Sequence, residues 1–198
     1  MSTNSLNQSH LSHKAAQILA ELENISEEFS RFQESSNLSC IEGCGRCCFK
    51  SDIYCSPYEL LPMALELLEK GEAQKYYNYL TTKIEASDKC IFLNVTNADQ
   101  FQGLCSNYKF RPLVCRTFGV SARHEKNNDV SFSVCRPLKA EKQNAVLRLN
   151  SMSPNIAFID HCKTRLSAID PQLSEIELPM NESLKIILEK VLLYSSFN

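Results

Sequence analysis

The stretch Cys40-Ile41-Glu42-Gly43-Cys44-Gly45-Arg46-Cys47-Cys48-Phe49 puts four cysteines into its first nine positions. The two-residue gap of Cys44-Gly45-Arg46-Cys47 lets two sulfurs reach one ion at about 2.3 Å, and Gly45 lets the backbone turn back around it. Side chains of neighbouring residues point in different directions, so Cys47 and Cys48 are expected to serve two metal sites or one multinuclear cluster rather than a single tetrahedral ion.

Downstream, from Asp88 to Cys135, helical periodicity disappears and only strand-like pieces such as Phe118 to Val120 and Val130 to Val134 remain. So long an irregular stretch in a compact chain needs another source of order, and bonds from thiolates to metal would supply it. Cys90, Cys105, Cys115 and Cys135 lie in this stretch. With Cys40, Cys44, Cys47 and Cys48 they make eight candidate ligands, grouped four and four. Cys55, just before a helix start, reads equally as ligand or bystander. Cys162 sits three after Ile159 and four before Leu166 on an apolar helix face, and reads as core. His124 reads as a loop residue, and His10, His13 and His161 as bystanders.

The flanks are helical. Leu11, Ala15, Ile18, Leu22, Ile25, Phe29 and Phe32 form one apolar stripe, which covers the protein's own core or docks a partner helix. Ser56-Pro57-Tyr58-Glu59 is a helix start that leads to a stop near Gly71. The next helix faces inward with Ala73, Tyr76, Tyr77, Leu80 and Ile84 and breaks at Ser87-Asp88. Helical signals return after Arg136-Pro137, after Ser153-Pro154 and from Asn181. The expected fold is a single domain, mainly α, with an irregular, metal-organised cysteine-rich middle and short β pieces. Its expected parts are an N-terminal amphipathic helix over 1–36, a cysteine-cluster metal-binding segment over 37–138 and C-terminal helices packed on it over 139–198.

Composition narrows the chemistry. Of 198 residues, 43% are hydrophobic and 22% charged, which excludes disordered and low-complexity classes for most of the chain. A net charge of −2 and a pI near 6.1 give no global argument for nucleic acid or anionic membrane. Met1 to His13 is Ser/Asn-rich with no apolar run behind it, so no export signal is read and a cytoplasmic protein with reduced thiols is expected. Ten cysteines then point to metal or redox chemistry rather than disulfides. Lys109, Arg111, Arg116 and Arg123 stand in a run without Asp or Glu. They would neutralise thiolate charge, or bind phosphate or carboxylate through Arg116-Thr117 beside Tyr108 and Phe110.

The combination Cys40-x3-Cys44-x2-Cys47-Cys48, Cys90-Ile-Phe-Leu, Gly103-Leu104-Cys105, Tyr108 and Arg111-Pro-Leu-Val-Cys115-Arg-Thr-Phe118 resembles the YkgJ-like cysteine-cluster family, described as zinc- or iron-chelating proteins. That resemblance implies eight ligands and zinc or iron, including an iron-sulfur cluster, as cofactor. A relative of the family, flagellin lysine N-methylase, carries a similar cysteine motif and implies, as the alternative, an iron-sulfur-dependent protein-modifying enzyme. The spacing of Cys40, Cys44 and Cys47 also fits radical S-adenosylmethionine enzymes, but Arg46 replaces the aromatic before the third cysteine and no alternation of strands and helices follows. Cys44-Gly-Arg-Cys47 resembles a thioredoxin-type pair without the surrounding βαβ pattern. Metal ions are the expected partners, with a protein partner at the N-terminal helix as a further reading. Spacing leaves zinc against iron, and the presence of catalysis, open.

Overall fold

The computed structural model describes residues 3–82, 89–127, 129–151 and 156–196. Helix α1 (Thr3–Ser36) runs for 34 residues. All seven positions of its apolar stripe are buried, from 8% exposed at Leu11 to none at Phe32. The helix stops where Asn37 takes the left-handed conformation, with φ of 56°. There the Leu38 N–H donates to the Gln33 carbonyl at 2.9 Å and the Asn37 N–H to the Glu34 carbonyl at 3.0 Å, closing the last turn.

After β1 (Tyr54–Cys55), a 3-10 turn over Pro57–Leu60 opens α2 (Leu61–Glu69), which ends at Gly71 with φ of 69°. Helix α3 (Ala73–Thr82) buries Ala73 and Leu80 and half-buries Tyr76 and Tyr77. The expected Ile84 contact, the break at Ser87-Asp88 and the start at Ser153-Pro154 lie outside the described residues.

The middle of the chain is more regular than its sequence predicts. It forms an antiparallel hairpin of β2 (Leu93–Asn97) and β3 (Gln102–Cys105), the short helix α4 (Leu113–Arg116), and a second hairpin of β4 (Val120–His124) and β5 (Val130–Val134). The predicted piece at Phe118 to Val120 overlaps its strand only at Val120, whereas Val130 to Val134 is β5. The first hairpin escapes sequence reading because only Leu93 on β2 and Gly103 on β3 are buried, so no apolar alternation marks it. Its turn also uses Phe101 in the left-handed region, φ 54°, where a glycine signal would be sought.

The chain continues through α5 (Arg136–Glu141), α6 (Gln143–Arg148), α7 (Ile159–Ile169), α8 (Gln172–Glu175), β6 (Leu178–Pro179) and α9 (Met180–Ser196). Helix α1 packs on α2, α4, α6 and α7, and α9 packs on α2 and α3. The stripe of α1 thus covers the protein's own core. Strands β1 and β6 pair Cys55 with Leu178, and the Ser183 hydroxyl donates to the Cys55 carbonyl at 2.8 Å. Among the described residues, no helix is long and apolar enough to cross a membrane.

Cys55 and Cys162 are both buried in this core. The Cys55 sulfur rests 3.8 Å from the Met180 sulfur, and burial raises its thiol, with Cys115 and Cys90 also adding to the rise. Cys162→Ala is expected to lower stability by about 1 to 2 kcal/mol, a small-cavity effect measurable by denaturant unfolding, with metal content unchanged.

Candidate metal centre

The cysteine knuckle is a tight backbone turn. The Cys48 and Phe49 N–H groups donate to the Gly45 carbonyl at 2.8 and 3.1 Å, and the Lys50 N–H to the Cys47 carbonyl at 3.2 Å. This curvature brings the Cys47 and Cys48 sulfurs to 3.8 Å. The expected divergence of these neighbours is therefore corrected: the turn aims both side chains at one place. Four thiolates around one ion at about 2.3 Å stand about 3.8 Å apart, so the pair has the spacing of a coordination edge.

The knuckle lies on the first hairpin through glycine-to-glycine contact. The Gly45 N–H donates to the Phe101 carbonyl and the Gly103 N–H to the Gly43 carbonyl, both at 3.0 Å, and Cys44 bridges to Gln102. A Cβ on Gly103 would come within 2.6 Å of the Leu93 side chain and 2.8 Å of the Asn94 carbonyl oxygen. The close approach needs glycine there. The Cys90 N–H donates to the Cys48 carbonyl at 2.9 Å, and Cys105 pairs with Leu93 across the hairpin. Backbone hydrogen bonds thus gather the knuckle, Cys90 and Cys105.

Cys115 arrives on α4, whose start is held by a buried carboxylate. Glu59 is 5% exposed and accepts the Leu113 N–H at 2.6 Å and the Ser56 N–H at 3.1 Å through its two oxygens. Cys135 follows β5, and its N–H donates to the Gly119 carbonyl at 2.9 Å. Gln33 on α1 holds the same loop by donating to the Phe118 carbonyl at 2.9 Å.

Mutual electrostatic influence groups the eight candidate thiols into two triads that share Cys47, with buried Cys55 coupled to the second through Cys115 and Cys90. Burial, followed by Cys44, Cys47 and Cys135, pushes the Cys40 thiol up to about 11, and Cys135 is raised by burial, Cys44 and Cys47. On the other side, Cys90 is pushed up to about 11 by burial, Cys105 and Cys47, and Cys115 rises well above the ordinary 9.0 through burial, Cys90, Cys47 and Cys105. Cys47 itself is raised first by its hydrogen bond with Cys48 and then by burial. The spatial division is thus not the division along the chain, because Cys135 stands with Cys40 and Cys44.

The basic run divides as well. Arg116 is buried and donates to the Arg111 carbonyl and the Ser26 hydroxyl at 2.6 Å and to the Lys109 carbonyl at 2.5 Å. Its Nε and both terminal nitrogens are thereby used inside the fold, which corrects the reading of Arg116 as an anion ligand. Arg123 pairs with Glu125 at 3.1 Å on the surface. Arg111 lies over the Tyr108 ring at 3.4 Å from its centroid, and its buried Nε has no hydrogen-bond partner. Its charge draws down the Cys40, Cys105 and Cys115 thiols against the effect of burial. A buried, unpartnered guanidinium N–H among these sulfurs fits a centre that becomes anionic when the thiols lose their protons.

Sequence reading passed over one more cluster. Among the described residues, the one trio of metal-ligating side chains with ligand atoms all within 4.8 Å of one another is His124, Asp160 and His161. The sulfurs thus sense one another without closing on a single point.

No curated protein and no solved structure shows significant similarity to the chain. Residues 39–136, which contain both triads and the Cys47-Cys48 pair but none of α1, match the model of the CxxCxxCC family, whose description reads "Putative zinc- or iron-chelating domain", and this match supports a place for the segment in that cysteine-cluster family.

Proposed function

We propose that the protein chelates zinc or iron through Cys40, Cys44, Cys47, Cys48, Cys90, Cys105, Cys115 and Cys135, with Cys47 and Cys48 joining the two triads into one multinuclear centre. The observation that carries this reading is the 3.8 Å sulfur pair where the triads meet. Two independent tetrahedral sites would draw these sulfurs toward different ions, whereas a shared centre uses both at one junction. Arg111 would donate to thiolate sulfur and offset the excess negative charge, and the glycine contact keeps side chains from wedging the knuckle off the hairpin. Zinc held this way cross-links the segments without redox chemistry, and iron with sulfide adds electron transfer.

Anaerobic purification of the full chain, followed by metal, sulfide and thiol analysis, tests the proposal. At least about two metals per chain and protection of the eight thiols from alkylation until a chelator is added are expected. Less than about two metals per chain, or freely titrating thiols, overturns it. A colourless protein with stoichiometric zinc assigns the zinc form, and visible absorbance with acid-labile sulfide assigns the iron-sulfur form.

A further inference from the structure

We infer that His124, Asp160 and His161 form a second metal site, separate from the thiols, that takes one divalent ion of the zinc, nickel or copper class. His124 ends β4 and Asp160 and His161 open α7, so two elements distant in sequence supply the ligands. Their ligand atoms lie within 4.8 Å of one another. The His124 Nδ1 stands 2.6 Å from one Asp160 carboxylate oxygen, while the other, Oδ1, is buried without a hydrogen-bond partner.

The rings are set before any ion arrives. Phe158 stacks on His124 with centroids 4.0 Å apart and planes at 13°, and His161 lies 5.2 Å from Phe158 and 5.0 Å from His124. Ala122 bridges to Phe158, and its N–H donates to the Ala157 carbonyl at 3.4 Å, which locks the end of β4 to the start of α7. A simple His–Asp pair accounts for the 2.6 Å contact, but not for the convergence of His161 or the unpartnered Oδ1.

Two imidazoles and one carboxylate suit borderline divalent ions, unlike the all-sulfur centre. His124 and Asp160 side chains are 29% and 42% exposed, so an ion enters from solvent and water completes its coordination. The site lies about 13 Å along β4 from Val120, next to the Gly119 contact of Cys135, too far for one ion to serve both.

The test uses the full chain with its thiols first saturated in zinc, then titrated with further zinc alone while the four histidine rings are followed by nitrogen-15 NMR. His124 and His161 are expected to shift together and saturate at one added equivalent, with His10 and His13 unmoved. Asp160→Asn is expected to weaken the site at least about tenfold. His161→Ala removes an exposed ring without disturbing the stack on Phe158, and is expected to abolish the added equivalent while thiol-bound zinc stays constant. Unmoved rings at several-fold excess zinc, shifts shared with His10 and His13, or undiminished binding by His161→Ala overturns the inference. Because the readout is on imidazoles, these outcomes do not depend on what the thiols bind.

Discussion

Replacing Cys47 and Cys48 together with serine is expected to strip the cysteine centre of its metal down to background. Serine keeps the turn, since the hydrogen bonds to the Gly45 carbonyl come from backbone N–H groups. What disappears is Cys47, which both triads share, together with the Cys48 sulfur 3.8 Å from it. Structural zinc in small thiolate domains is worth about 10 to 16 kcal/mol of folding free energy, so the variant is expected to lose order in its two hairpins along with the metal. Elemental analysis of the anaerobically purified variant and amide NMR of residues 89–135 check both results. Cys162→Ala, carried alongside, is expected to keep full metal content. Retention of metal by the double variant would mean that the two triads bind independently of the junction.

The second large effect is expected at Glu59, which is not a ligand. Its two oxygens satisfy the Ser56 and Leu113 N–H groups inside the protein. Glu59→Ala leaves both donors buried and unpaired at about 1 to 3 kcal/mol each, for a total loss of about 2 to 6 kcal/mol in denaturant unfolding. Glu59→Gln restores one acceptor and is expected to recover about half of that loss. Burial raises the Glu59 carboxyl above its ordinary 4.5 in the folded protein, against the two backbone donors. The stability linked to this shift is fully present below 4.5 and is lost as pH rises through the raised value. The advantage of wild type over Glu59→Gln is therefore expected to shrink as pH rises from about 4 toward neutrality. An unchanged difference across that range would show that the carboxyl does not titrate with folding. Loss of the Leu113 anchor also loosens α4, so Glu59→Ala is expected to weaken metal retention through Cys115.

The helices were legible in the sequence because their apolar residues recur at helical spacing. All seven stripe positions of α1 are buried, and Ser56-Pro57-Tyr58-Glu59 starts a helical segment as its residue types require. Cys162 was legible as core by the same spacing. The rest depends on contacts that spacing does not encode. Glu59 reaches Leu113 across 54 residues, and His124 reaches Asp160 across 36. The sulfur pair was misread because the divergence of neighbouring side chains holds for ordinary backbone, and the turn at Gly45 is tighter than that. Arg116 looked available because a sequence does not show carbonyl oxygens converging on a guanidinium.

The Arg116 contacts also bear on the order in which the eight thiols would be captured. Arg116 ties the Lys109–Arg111 loop to Ser26, in the middle of a helix without cysteine, and Glu59 fixes the start of α4 from the other side. These contacts would fix Cys115 from the helical core itself, independently of an ion. Cys40 is the most exposed of the eight, though its sulfur is partly desolvated, and it stands four residues past the end of α1, so in the proposed centre it would be the ligand ordered by binding. In the proposed centre, nucleation would then belong to the Cys90, Cys105 and Cys115 side, with Cys40 as the latch that would close last and open first and so set how long a metal ion resides.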